Sequence, residues 1–124
     1  MVWLVFLQIL VILVNISGFQ SYLIYGHVML GLAILGLSYN NDFKIRRTQA
    51  PNRLKRIARA TTVLAIIQPI LGVVLFLNVV LSAGIPFVWV ITFLHLVIAL
   101  AIITQASSVA TAYDMWEEKE YTKQ

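Results

Sequence analysis

The sequence predicts an all-α membrane protein in which a single domain, residues 1–124, forms a bundle of four transmembrane helices. Composition is the first of three observations behind this prediction. Of the 124 residues, 60% are hydrophobic and only 11% are charged, and the mean hydropathy is +0.89. A soluble domain is roughly half apolar and about a quarter charged. The chain has too few polar residues to cover a water-soluble globule, so we expect it to lie in a lipid bilayer.

Four apolar runs are the second observation, and each run predicts a helix. A helix needs roughly 17–25 residues to cross the hydrocarbon core of a bilayer, and the last three runs meet this length. The first run is short, and it spans only if its ends lie near the membrane interfaces. It has neither the basic start nor the cleavage site of a signal peptide. The predicted helices cover about residues 2–16, 22–39, 61–82 and 85–112.

The charge of the loop predicted at residues 40–60 is the third observation. Seven of the nine Lys and Arg residues lie there, whereas the short corners at 15–21 and 82–86 carry no charge. By the positive-inside rule such a loop stays in the cytoplasm, which places both termini inside. A basic loop also occurs in nucleic-acid-binding proteins. Orientation of the chain and contact with anionic lipid are the favoured interpretation here, and we expect no nucleic-acid partner.

The ends of the predicted helices carry further information about the membrane. The C-terminal tail, residues 113–124, holds four of the five acidic residues. We expect it to continue the fourth helix beyond the membrane and to contact the basic loop or a soluble partner. Cysteine is absent, which excludes disulfides, thiolate metal ligands and Cys-based catalysis. Several aromatic residues suit the interfacial belts of a bilayer: Trp3, Tyr22, Tyr25, Trp89, Tyr113 and Trp116.

The two halves of the chain resemble each other. The segment "HVMLGLAI" at 27–34 aligns without a gap on "HLVIALAI" at 95–102, and "LQILVILVN" at 7–15 lies over "IQPILGVVLFLN" at 67–78. Apolar helices match easily by chance, but polar residues are scarce in these helices. The matched pairs His27/His95 and Gln8/Gln68 therefore carry the comparison, and we interpret the pattern as the duplication of a two-helix unit.

The two histidines are predicted at a similar depth on two parallel helices. Each lies about seven to nine residues past its corner, which at 1.5 Å per residue is roughly 10–14 Å into the membrane. A small residue follows one turn later, Gly31 after His27 and Ala99 after His95. Small residues at these positions leave room for a flat ring, although they also allow close packing of helices.

This pairing predicts a metal site with His27 and His95 as its ligands. A lone His in a membrane helix often bonds to a neighbouring helix instead. Two at matching depth, in predicted helices without Asp, Glu, Lys or Arg, favour ligation. Two histidines are too few for a typical zinc or copper site, but they suffice as the axial ligands of a haem, whose porphyrin supplies the other four nitrogens. We therefore predict haem b between them, beside Gly31 and Ala99.

Gln68 is a further candidate, at the edge of a haem or a quinone. A hydrogen bond between helices is the favoured interpretation for Gln68, as it is for Gln8, Asn15, Asn78 and Gln105. The predicted helices contain no acid, base or nucleophile suited to chemistry on an organic substrate. We therefore expect the chain to pass electrons and not to act as an enzyme by itself.

The stretch "IIQPILGVVLFLNVVLSAGIPFVWVITFLHLVIALAI" (66–102) resembles the second helix pair of half of a haem A synthase. Members of that family carry Gln and Gly early in one helix, then a Pro-containing corner and a His in the next helix. Gln68, Gly72, Pro86 and His95 occupy these positions, and His27 matches the histidine of the preceding pair. The resemblance implies a four-helix bundle whose histidines ligate haem. The family also carries an acidic residue and a histidine on its first helix and the loop that follows, and neither is present here.

These observations together predict a multi-pass cytochrome of b type that serves as the electron-transfer subunit of a larger respiratory or other redox complex. Its expected partners are the lipid bilayer, the other membrane subunits and, as a candidate, a quinone. The alternative is a cofactor-free accessory subunit in which the histidines only tie helices together. A haem A synthase-like enzyme ranks third because the residues of its catalytic site are missing from the first helix.

Overall fold

A computed structural model describes the backbone of residues 1–15, 20–82 and 84–122, and the side chains of 1–11, 22–82 and 84–122. The described chain is helical, as its composition predicts. The order of elements is α1 (Val2–Asn15), α2 (Gln20–Arg47), α3 (Asn52–Leu81) and α4 (Val88–Tyr121).

The helices continue beyond the apolar runs that predict them. The segment predicted as a basic loop, residues 40–60, is largely helical, because α2 runs on to Arg47 and α3 begins at Asn52. Residues 48–51 alone connect them, and Pro51, with φ of −55°, has the backbone angle that suits a helix start. The hydropathy of a sequence indicates where a helix leaves the bilayer, but it does not indicate where the helix itself ends. For the same reason α4 extends through the acidic tail to Tyr121, as expected.

Three of the helices, α2, α3 and α4, are long and apolar enough to cross a membrane. The prediction of helices with the length and composition of membrane spans is confirmed for these three. The described part of α1 has 14 residues, which at 1.5 Å per residue cover about 21 Å and fall short of the ~30 Å hydrocarbon core. Many large apolar side chains of all four helices face outward, among them Trp3, Val79, Trp89 and Phe93, as lipid-facing residues do.

The four helices pack in a ring, which we call the bundle. Each helix contacts its two neighbours in the order α1, α2, α3, α4 and back to α1, and no described backbone contact joins α2 to α4 or α1 to α3. The two helices that carry the histidines are therefore diagonal partners. Side chains from all four helices meet only on the central axis, so that axis is where a shared site can form.

The core of the bundle is layered along this axis. One apolar layer takes one residue from each helix: Val5, Ile34, Ala65 and Ile102. A polar layer formed by Gln8, His27, Gln68 and His95 lies on the side of this apolar layer that faces the corner between α3 and α4. On the other side lies a layer of hydroxyl and amide groups, which leads to the basic end, where Ile45, Leu54 and Ala58 form a second apolar cluster.

The hydroxyl layer joins neighbouring helices through hydrogen bonds. The Ser38 and Thr62 hydroxyl oxygens lie 3.1 Å apart, and Thr62 also donates to the carbonyl of Ser38. Thr61 donates to the side-chain oxygen of Gln105 at 3.1 Å, linking α3 to α4. The interhelical role predicted for Gln105 is therefore confirmed.

The corner between α3 and α4 is held by Asn78, whose side-chain oxygen accepts the backbone N–H of Ile85 at 3.0 Å. Asn78 thus caps a turn instead of bridging two helices, and α4 begins at Val88, three residues later than predicted. The delay follows from Pro86, which cannot donate a helical hydrogen bond, and from Phe87, whose φ of 59° is left-handed. Asn15, also predicted to bridge helices, has a side chain outside the described residues.

One acidic residue is buried at the basic end. Asp42, 2% exposed, accepts a hydrogen bond from Arg46 one helical turn further along α2. Its other oxygen, Oδ1, is buried without a hydrogen-bond partner in the described residues. Arg46 therefore supplies the compensating charge for a carboxylate that the fold has removed from solvent.

Candidate functional site

One polar side chain from each helix reaches the axis of the bundle. These are Gln8 of α1, His27 of α2, Gln68 of α3 and His95 of α4, which we call the central layer. The two halves contribute alike, one glutamine and one histidine each. Within each half the glutamine contacts the histidine of the next helix, Gln8 with His27 and Gln68 with His95, although duplication itself stays a prediction.

The imidazole of His27 is oriented by the backbone of α1. Its Nδ1 lies 3.3 Å from the carbonyl oxygen of Gln8. A carbonyl can only accept a hydrogen bond, so Nδ1 carries the proton, and the lone pair is on Nε2. A histidine that ligates a metal commonly donates its other N–H to such a carbonyl. His27 is thus held in the tautomer that a ligand of this type requires.

The imidazole of His95 lies close to that of His27 on the axis. The ring centroids are 6.1 Å apart, and the ring planes are inclined by 49°. Gln68 donates from its side-chain nitrogen to the carbonyl oxygen of His95 at 2.8 Å, which fixes the α3–α4 spacing at this level. The Nδ1 atom of His95 is buried and has no hydrogen-bond partner in the described residues.

Unpaired polar atoms accumulate in this layer. Besides Nδ1 of His95, the side-chain oxygens of Gln8 and Gln68 are buried without partners in the part of the chain that the structure describes. Each such atom costs about 1–3 kcal/mol, and native proteins contain few of them. Three in one layer mark the centre of the bundle as a place with unused capacity to bind a polar or metal-containing group.

The small residues beside the histidines have different surroundings. A Cβ atom at Gly31 would lie 3.2 Å from Nε2 of Gln8, so the Gln8 amide already fills the space that the sequence assigns to a flat ring. On the α3 side, a Cβ at Gly72 would lie 3.4 Å from Cε1 of His95. Ala99 is buried one turn from His95. A macrocycle beside Gly31 requires the Gln8 side chain to leave its present position.

The donor set restricts which metal group the centre can hold. No group of three or more His, Cys, Asp or Glu side chains that could bind a metal ion occurs among the described residues, and a protein zinc site needs three or four such ligands. Two imidazoles are a donor set that a haem could use, since the porphyrin would supply the other four nitrogens. His27 and His95, on diagonal helices, are the residues that would hold it.

Four residues predicted from the sequence to form the site meet in the central layer, and Ala99 is adjacent to it. The four are His27, Gly31, Gln68 and His95. The hydrogen bonds between helices expected of Gln8 and Gln68 are confirmed, and the contact of Gln8 with Gly31 was not predicted. The match of Gln8 with Gln68 in the repeat was the sign of its position. Gly72 was noted only for a family resemblance, and no periodicity shows that it faces His95.

The chain matches no family model, no curated protein and no solved structure. Its relation to the haem A synthases therefore stays a prediction from sequence, and the central layer is the basis for a functional assignment.

Proposed function

We propose that this protein is a multi-pass membrane cytochrome of b type, with its basic end in the cytoplasm and with His27 and His95 as the axial ligands of one haem. The observation that carries the proposal is the pair of imidazoles whose ring centroids lie 6.1 Å apart on the axis of the bundle. Diagonal helices supply them, so a planar group between them would contact all four helices. The unpaired polar atoms of the same layer support a bound group at this place.

The residues of the central layer would divide the work of holding the haem. With Nδ1 of His27 donating to the Gln8 carbonyl, Nε2 would offer its lone pair to the metal once the Gln8 amide, whose Nε2 lies 3.5 Å away, moves aside. His95 would supply the second imidazole. Gln68 positions His95 through its carbonyl oxygen. A bis-histidine haem supplies reversible one-electron redox chemistry. The chain's own part is to bind the group, keep it in a low-dielectric core and connect it with the electron carriers of a larger membrane redox complex.

A second candidate is a cofactor-free accessory subunit of a membrane complex. It is favoured by the Gln8 amide, whose Nε2 lies 3.5 Å from Nε2 of His27 and which fills the space beside Gly31. In this case the central layer only ties the helices together, with each hydrogen bond worth about 0.6 kcal/mol in a bilayer. A haem A synthase-like enzyme is the third candidate, and it lacks the acidic residue and the histidine on the first helix and the following loop.

A reduced-minus-oxidised absorption spectrum of the protein, purified in detergent from haem-replete cells, tests the proposal. We expect Soret and α bands of a low-spin haem. His27→Ala and His95→Ala should each abolish low-spin character, because each removes one axial ligand. The matched control is Thr104→Val, since this exposed hydroxyl on α4 bonds only to the carbonyl of Leu100 in its own helix, and its spectrum should not change.

Two results would overturn the assignment. A folded protein without haem bands points to the accessory subunit. Retention of the low-spin spectrum in one histidine variant removes that residue from the site. Circular dichroism of every variant shows whether it has kept its helices. Subunits that copurify in stoichiometric amounts would identify the redox complex.

A further inference from the structure

The two glutamines of the central layer contact their histidines in different ways. Gln68 donates to the backbone carbonyl of His95, whereas the side-chain nitrogen of Gln8 lies 3.5 Å from the ring nitrogen Nε2 of His27. Gln8 is only 9% exposed, so this amide lies inside the bundle. The Gln8 side chain therefore reaches the imidazole itself, at one of the two nitrogens through which a histidine can ligate a metal.

The tautomer of His27 determines the direction of this contact. Nδ1 of His27 donates to the Gln8 carbonyl at 3.3 Å, so Nε2 carries the lone pair and can only accept a hydrogen bond. The amide nitrogen of Gln8 can only donate, whereas an amide oxygen in its place would set two acceptors against each other. Gln8 thus contacts both ring nitrogens, with its backbone oxygen at Nδ1 and its amide nitrogen at Nε2. The lone pair that a metal would need is already engaged.

The same amide also fills the space beside the imidazole of His27. A Cβ atom at Gly31 would lie 3.2 Å from Nε2 of Gln8, which is a crowded distance. Ala99, at the matching position of the second half, carries such a Cβ atom, and there Gln68 bonds to the backbone instead. Gly31 therefore gives the Gln8 amide room to lie over the helical turn that follows His27.

The contacts that hold the Gln8 amide in this place are weak. Its distance to His27, 3.5 Å, is long for a hydrogen bond, and such bonds contribute little between helices in a bilayer. The side-chain oxygen of Gln8 is buried without a partner in the described residues, which disfavours the position further. A glutamine side chain is flexible, so the amide can rotate away while the backbone of α1 stays in place.

We propose that the Gln8 side chain is a removable plug, which closes the central layer while no haem is bound and which must leave before His27 can ligate. Gln8 then controls how fast and how tightly haem is taken up, whereas Gln68 positions His95. This inference rests on the haem assignment and adds a regulation of the same site. The plug allows the four helices to assemble before haem is at hand, because both nitrogens of His27 meanwhile have a partner in Gln8.

Uptake of haemin by the full chain, purified in detergent from haem-deficient cells and followed through the Soret band, tests the plug. Gln8→Ala removes the amide and its bulk, so we expect faster uptake and an affinity at least about threefold higher, the weight of one interhelical hydrogen bond in a bilayer. Gln68→Ala should lower the affinity, because His95 loses the contact that positions it. Gln105→Ala is the matched control, since Gln105 bonds to Thr61 in the hydroxyl layer, and it should leave uptake unchanged.

A second measurement needs no haem. Nitrogen NMR of histidine-labelled protein reports whether the unprotonated ring nitrogen of His27 accepts a hydrogen bond. In Gln8→Leu, which keeps most of the bulk but has no donor, this resonance should move downfield; an unchanged resonance would overturn the plug. Equal or slower uptake of haemin by Gln8→Ala would also overturn the plug and leave the haem assignment in place. Uptake by Gln8→Ala alone would support both, and no uptake by any variant would overturn both.

Discussion

Replacement of Ile102 by Ala measures how much the apolar layer of the core contributes to stability. Ile102 is 2% exposed and packs with Val5, Ile34 and Ala65. In water, such a substitution costs about 2–5 kcal/mol, the sum of a transfer term and a cavity term. In a bilayer the transfer term is small, because lipid chains are as apolar as the core.

The cavity term alone therefore sets the expected magnitude. Loss of three carbon atoms leaves a void of at most roughly 80 Å³, and at about 24 cal/mol per Å³ this costs about 2 kcal/mol. Leu100→Ala is the matched control on the same helix. Its side chain is 50% exposed, so lipid or detergent chains fill the space, and we expect a loss below about 0.5 kcal/mol.

Reversible unfolding in mixed micelles, with increasing dodecyl sulfate and helical circular dichroism as the readout, gives both free energies. The reasoning fails if the two variants lose the same stability, since that would mean that Ile102 packs no better than a lipid-facing residue. A loss of 4–5 kcal/mol for Ile102→Ala would show instead that the transfer term persists and that the bundle unfolds into water.

Two further substitutions test the basic end and the central layer of the bundle. Arg46→Leu leaves the buried Asp42 carboxylate unpaired and should cost about 1–2 kcal/mol of unfolding free energy, less than for a fully buried pair because Arg46 is 43% exposed. The double variant with Asp42→Leu should recover most of this loss in the same unfolding assay. No recovery would show that the pair is not coupled. Gly31→Phe should abolish haem binding by filling the space beside His27. Gly36→Phe is the control, since a Cβ atom at Gly36 has no neighbour within 4 Å, and it should retain the haem bands. Equal spectra of the two variants would place the macrocycle elsewhere.

The helices and the histidine pair could be predicted from the sequence, whereas the ends of the helices could not. Apolar runs identify the parts of α2, α3 and α4 that suit the bilayer, since polar side chains are costly there. The ends at Arg47 and Asn52 lie in charged sequence, where hydropathy carries no information about helical structure. The short connection at 48–51 follows from propensity and from Pro51 instead.

The central layer shows a similar division. The meeting of His27 and His95 was predictable because the two residues recur at matching depth in the two halves. The insertion of the Gln8 amide beside Gly31 depends on how α1 is rotated and on the rotamer of one flexible side chain. A sequence pattern does not determine either.

The apolar layer has a consequence for the membrane as a whole. Protons cross membranes along chains of hydrogen-bonding groups and water. In this core the polar groups of α3 stop at Thr62 and resume at Gln68, about 9 Å apart along the helix, and Val5, Ile34, Ala65 and Ile102 occupy the interval with carbon atoms alone. The layer is thus expected to insulate against proton leakage, so that a membrane could carry many copies of this protein and still keep its pH gradient.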